Sequence, residues 1–171
     1  TNTIKKNNKQ VIWIHAASIG EFKSAHYLIQ NYHNDFTLLI TTTTVSAANY
    51  ANEHYKDKII HQFAPYDVNI WVNKFLNYWN PKLVIWIESD LWPTTLLAIK
   101  KLNINAILVN LRLSPKSLSR WKIIPFFYNQ LLDCFSDVFV QSKVDQKRIY
   151  QISNKQTKFI GNLKLSASYI S

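Results

Sequence analysis

Short β-branched runs alternate along this chain with longer stretches whose apolar residues recur at three- and four-residue spacing. The first pattern fits strands, and the second fits helices that lay one apolar face on a sheet. Strands are expected at Val11–His15, Phe36–Thr41, Lys58–Gln62, Leu83–Ile87, Ala106–Asn110, Val138–Gln141 and Lys158–Ile160. Helices are expected between them at Gly20–Asn31, Val45–Tyr55, Val68–Trp79, Pro93–Leu102, Leu118–Asp133 and Lys143–Ile152. Repeated β-α units of this spacing make a Rossmann-like α/β fold, a parallel sheet with helices on both faces.

Local signals set several boundaries. Thr44 offers a hydroxyl cap ahead of Val45, and Asp67 is expected to cap the helix that opens at Val68. That helix carries Ile70, Trp71, Phe75, Leu76 and Trp79 at helical spacing, and Pro81 ends it. Pro93 suits a first-turn position, where its missing amide costs nothing, and Asp90 is expected to cap the same helix.

In a parallel sheet every strand-to-helix loop gathers at one edge, where ligands bind. The first such loop, His15-Ala16-Ala17-Ser18-Ile19-Gly20-Glu21, holds one of only two glycines in 171 residues. Ser18 and Glu21 have capping-box spacing, so the glutamate can simply close the helix start. The other reading turns the Glu21 carboxylate toward the crevice as a general base. A helix N-terminus favours the ionised form, so such a base is expected to act by position more than by basicity.

Three further loops carry candidate chemistry. Glu88 and Asp90 follow a strand that is apolar throughout, and Glu88 has no evident structural task. Thr41–Thr44 place hydroxyls at a helix start, where capping and β-propensity compete with oxyanion or sugar binding. Between residues 112 and 127, Arg112, Lys116, Arg120 and Lys122 interleave with Trp121, Ile123, Ile124, Phe126 and Phe127. Cations beside rings and aliphatic groups suit a membrane interface or lipid phosphates, although some of those apolar groups are expected to face the core.

Composition sharpens this picture. The formal net charge is +10, which favours polyanionic partners. The lone Cys134 lies among apolar neighbours and reads as a buried hydrophobe, and the five histidines are scattered with no metal-ligand spacing. No phosphate-binding loop, dinucleotide fingerprint, nucleophile elbow or zinc-peptidase motif occurs, so those enzyme classes lose their weight. Residues 1–10 read as a basic flexible tail, 11–164 as one domain and 165–171 as a truncated linker.

Taken together, Trp13–Glu21, Thr41–Thr44, Pro65-Tyr66-Asp67, Glu88-Ser89-Asp90-Leu91-Trp92-Pro93, Asn110–Ser114, Gln141-Ser142 and Gly161-Asn162-Leu163-Lys164 form an ordered series. It resembles the motifs in the N-terminal half of 3-deoxy-D-manno-octulosonic acid (Kdo) transferases, from about Val11 to Lys164. The resemblance implies one Rossmann-like half of a GT-B glycosyltransferase that binds the acceptor, with the CMP-Kdo donor held mainly by a second domain. It implies inverting transfer of Kdo to a lipid A precursor, without a metal or other cofactor, at the cytoplasmic face of the bacterial inner membrane.

By the same resemblance Glu21 falls at the general base, with Ser18 and Gly20 beside it in the site. Glu88 falls at an acceptor-pocket acid, and Arg112 and Lys164 fall at basic positions able to hold phosphate or carboxylate. Asp90 stands where the family more often has glutamate, and Ala47-Ala48 stand where a glycine is common. On this comparison the chain is expected to stop where the donor domain begins and to lack the family's N-terminal membrane anchor. Partners are therefore expected to be a lipid A precursor, an anionic membrane surface and, through the missing domain, CMP-Kdo, with no nucleic acid. The alternative is a truncated, inactive remnant that at most binds anionic lipid.

Overall fold

A computed structural model of the chain describes residues 9–88 and 90–159. Its strands are β1 (Val11–His15), β2 (Thr37–Thr42), β3 (Ile60–Phe63), β4 (Leu83–Ile87), β5 (Asn105–Leu111), β6 (Asp137–Val140) and β7 (Lys158–Phe159). Its helices are α1 (Ile19–Ser24), α2 (His26–Tyr32), α3 (Val45–Tyr55), α4 (Asn69–Trp79), α5 (Pro93–Lys101), α6 (Pro115–Trp121), α7 (Pro125–Leu132) and α8 (Lys143–Ile149). Every strand pairing is parallel, in the order β3-β2-β1-β4-β5-β6-β7. The expected Rossmann-like sheet is therefore observed. Its order reverses between β1 and β4, which opens a crevice at their carboxyl ends.

Alternation along the central strands feeds two cores. Trp13, Trp86 and Leu108 pack with Val72 and Leu76 of α4, Ile99 of α5 and Leu131 of α7 on one face. Ile14, Ile40 and Ile85 pack with Phe22 of α1, Ile29 of α2 and Ala51 of α3 on the other. Burial on both faces explains why these strands are almost continuously apolar. Cys134 is a free, buried thiol, as its neighbours suggested.

Several boundaries differ from expectation, each for a local reason. The expected helix Gly20–Asn31 is two helices, because the fully buried Ala25 closes a tight turn through an N–H bond to the Phe22 carbonyl at 2.9 Å. The expected helix Leu118–Asp133 breaks because Pro125 cannot continue one, and Ile124 before it lies outside the helical region at φ −134°, ψ 57°. The last expected helix stops at Ile149. On α4 the buried face is Val72, Phe75, Leu76 and Trp79, while Ile70 and Trp71 face solvent. Most of the expected 1–10 tail, Ile160, the Gly161–Lys164 motif and the 165–171 linker lie outside the described residues.

Candidate active site

The turn after β1 holds Glu21 in a helix cap. Ser18 caps α1, its Oγ accepting from the Glu21 N–H at 3.3 Å and donating to Glu21 Oε1 at 3.1 Å. Glu21 Oε2 accepts from the Ala17 N–H at 2.6 Å, one residue earlier than in the usual capping box. Gly20 lies in the first turn of α1 and is exposed, so the helical turn itself does not require its freedom. The turn is tied to the next strand, because Thr43 Oγ1 donates to the Ala17 carbonyl at 3.0 Å.

Glu21 is half-buried, and its carboxyl is held above the usual carboxylate value. Burial is the largest cause, and Glu88 and Asp90 add repulsion, while the hydrogen bonds from Ala17 and Ser18 pull the other way. The expected weakening of the base by the helix start is thus present but outweighed by desolvation and by two neighbouring acids. A carboxylate raised in this way is a better proton acceptor than one at an open helix end.

Glu88 caps the end of β4 in a left-handed conformation, φ 68°, and faces a second left-handed residue, Asn110, φ 60°, at the end of β5. The Glu88 N–H bonds to the Val109 carbonyl at 2.9 Å, and Asn110 Nδ2 donates to Glu88 Oε1 at 3.3 Å. Asn110 is buried and its Oδ1 has no hydrogen-bond partner among the described residues. Two strained non-glycine residues side by side at one sheet edge mark a place where position outweighs local comfort. Asn110 was not singled out in the sequence, although asparagine tolerates this conformation better than most residues.

Neither loop aspartate caps the helix expected of it. Asp67 does not cap α4, whose N-cap is Val68 with no side-chain bond. It reaches α5 instead, accepting from the N–H groups of Thr94 at 3.1 Å and Thr95 at 2.7 Å and from Thr95 Oγ1 at 2.7 Å. Pro93 opens α5 without an amide, so the next two amides carry the unmet demand. Asp90 is thereby released from capping and stays exposed, its carbonyl held by Trp86 Nε1 at 2.7 Å.

The 88–93 loop divides the carboxyl edge into two cavities. One, of about 550 Å³, lies between Thr42, Phe63, Tyr66 and Trp92. The other, of about 400 Å³, lies between Asp90, Arg112, Arg120, Trp121 and Tyr128. Arg112 is brought there by a clamped loop, since the Leu113 N–H donates to Asp145 Oδ1 at 2.9 Å and Arg148 Nη1 donates to the Leu113 carbonyl at 3.1 Å. Of the expected site residues, Ser18, Gly20 and Glu21 share one turn, Glu88 repels the charge of Glu21, and Arg112 lines a cavity with Asp90. Lys164 lies outside the described residues.

The threonine run serves structure. Thr41 Oγ1 accepts from Trp13 Nε1 at 2.9 Å and shares a hydrogen bond with His15 Nδ1 at 2.9 Å. Thr42 pairs with His61, and Thr44 caps α3. His15 is buried under Trp86 and Trp92, with ring centroids at 4.2 and 4.8 Å, and burial lowers its pKa to about 3. It is a neutral packing residue, as the scattered histidines suggested. Among the described residues no group of three or more His, Cys, Asp or Glu is placed to hold a metal ion, and no helix is long and apolar enough to cross a membrane.

Residues 1–167 match the family model described as 3-deoxy-D-manno-octulosonic-acid transferase (kdotransferase). The chain belongs to the Kdo transferase family. It is 37% identical to the 3-deoxy-D-manno-octulosonic acid transferase of Rickettsia bellii over 165 residues, 95% of this chain and 39% of that protein. It is 40% identical to a probable mitochondrial 3-deoxy-D-manno-octulosonic acid transferase of Arabidopsis thaliana over 114 residues, 65% of this chain and 26% of that one. The chain thus spans about two fifths or less of these relatives. Among solved structures, UDP-GlcNAc 2-epimerase from Neisseria meningitidis is similar at TM-score 0.63 over 94% of this chain and 49% of that one. At 13% identity that likeness concerns the fold alone.

Proposed function

We propose that this Kdo transferase domain is the acceptor side of an enzyme that moves Kdo from CMP-Kdo to a lipid A precursor at the cytoplasmic face of the bacterial inner membrane. The observation that carries the reading is the Glu21 carboxyl, half-buried at the sheet's switch point and raised by burial and by Glu88 and Asp90. The acceptor hydroxyl oxygen forms the new bond to the anomeric carbon, and the bond from that carbon to the CMP phosphate oxygen breaks, its electron pair leaving with CMP. The hydroxyl proton passes to Glu21. Glu88, oriented by Asn110, shapes the acceptor pocket, and the donor is held by a second domain.

The exposed side of α6 and α7 supports peripheral attachment to an anionic membrane. Ile123 and Phe126 are 80% and 82% exposed beside Lys116, Arg120 and Lys122, whereas Leu118, Trp121 and Phe127 pack against the core. The test joins this chain with the donor-binding half of a relative and measures Kdo transfer. Glu21→Gln, with its fold checked by circular dichroism, is expected to slow transfer by about 10²–10⁴-fold. Unchanged turnover in that variant refutes the assigned role. No transfer with any donor half, alongside retained vesicle binding, favours an inactive lipid-binding remnant instead.

A further inference from the structure

His15 is an awkward residue for the place it occupies. It ends β1 with 1% of its surface exposed, and its Nε2 is buried with no hydrogen-bond partner among the described residues. An apolar side chain of similar size would fill the same space without stranding a polar atom. A departure of this kind from comfortable packing points to a task beyond filling the core.

The contacts of the ring define that task. β1 lies between β2 and β4, and His15 is in register with Thr41 on one side and Trp86 on the other. Thr41 Oγ1 pins the ring through Nδ1 at 2.9 Å, while the indoles of Trp86 and Trp92 lie tilted against it. Both indoles hold the 88–93 loop. Trp92 belongs to that loop, and Trp86 Nε1 donates to the Asp90 carbonyl at 2.7 Å. The same end of β1 runs on through Ala16 into Ala17, whose N–H holds Glu21 Oε2 at 2.6 Å. One ring therefore joins the strand end that fixes Glu21 to the loop that carries Glu88 and Asp90, the two acids that repel it. Burial keeps the imidazole neutral, so it adds no positive charge to offset that repulsion.

We propose that His15 is a positioning residue, a neutral seat for Trp86 and Trp92 that fixes where the Glu88 and Asp90 carboxylates stand against Glu21. Its bearing on transfer rests on the reading of Glu21 as the general base. Misplacement of a reacting group by about 1 Å costs about 10²-fold in rate, so a rigid seat far from solvent has a use there.

The test compares His15→Leu with His15→Phe in the 171-residue chain by NMR, with circular dichroism as the check on the fold. Leucine fills the core without a flat ring, and phenylalanine keeps the ring without Nδ1. In His15→Leu the Trp86 indole N–H is expected to exchange with solvent about tenfold faster, because it loses the protection of its bond to Asp90. The Glu21 carboxyl is expected to titrate closer to the ordinary carboxylate value as Glu88 and Asp90 move off. Two controls are expected to stay as they are: the Trp79 indole N–H, bonded to Gln62 Oε1 at 3.2 Å, and the Asp137 carboxyl, paired with Lys158 at the far edge of the sheet. His15→Phe is expected to match the unsubstituted chain in both readouts. His15→Ile, which suits a strand, carries the same expectations as leucine if the leucine variant does not fold. A folded leucine or isoleucine variant with Trp86 exchange and Glu21 titration unmoved overturns the seat. Equal acceleration at Trp86 and Trp79, or a phenylalanine variant as disturbed as the leucine one, overturns it too. Unslowed transfer in Glu21→Gln strikes the general base, whereas these readouts strike the seat alone.

Discussion

The two cavities at the carboxyl edge share one wall and differ in almost everything else. On the β3 side Phe63, Pro65, Tyr66 and Trp92 make a largely apolar space, and its one acid, Asp67, is fully engaged by the amides and hydroxyl of α5. On the β5 side Arg112, Arg120 and Asp90 make a charged one, and Asp90 caps nothing. One loop therefore gives opposite chemistry to its two sides because Asp67, and not the nearer Asp90, satisfies the start of α5. Glu21 is coupled to that loop through Glu88 and Asp90.

Trp92 is the sharpest place to break this division. It packs edge-on against Trp86, lies tilted against His15 and lines the apolar cavity, so Trp92→Ala is expected to cost about 2–3 kcal/mol in urea unfolding. The same change should let water reach His15 and raise its pKa from about 3 toward the ordinary imidazole value, followed by NMR titration. A stable variant with an unmoved His15 would show that Trp92 is not the wall between the cavities. Asp67→Ala comes next, at about 1–2 kcal/mol, because the Thr94 and Thr95 amides of α5 lose the side chain that caps them.

The smallest effect sharpens the contrast through pH. The folded state holds the Glu21 proton more tightly than the unfolded chain does, so this group favours folding below the ordinary carboxylate value. That contribution is lost as pH rises through the raised folded-state value. Glu21→Gln is expected to flatten the stability profile across that window. An unchanged slope in urea midpoints would mean that Glu21 titrates as it does in the unfolded chain.

Much of this architecture is visible in the order of residues. The Val11–His15 and Leu83–Ile87 strands and the Val45–Tyr55 helix have the bounds read from their patterns, because local propensity and burial agree there. Gly20 and Glu21 stand in the first turn of the helix after β1, and Glu88 directly follows β4. The splits at Ala25 and Pro125 were harder to see, since apolar spacing runs through both and only packing or the proline geometry closes the turn. Ile70 and Trp71 look like core in periodicity, but the register of α4 on the sheet turns them outward. Asp67 rather than Asp90 caps α5 because capping arguments see only neighbours in sequence, and Asp67 lies 27 residues from the amide of Thr94.

By itself the sequence determined that strands and helices alternate, which loops share an edge, and that cations crowd one of them, because each follows from local period and composition. Only the folded arrangement decided that Glu21 is raised, that Asn110 faces Glu88 across two left-handed turns, and that Arg112 and Arg120 line one cavity. Desolvation, strand register and charge proximity are set by residues distant in the chain, so no window of sequence contains them.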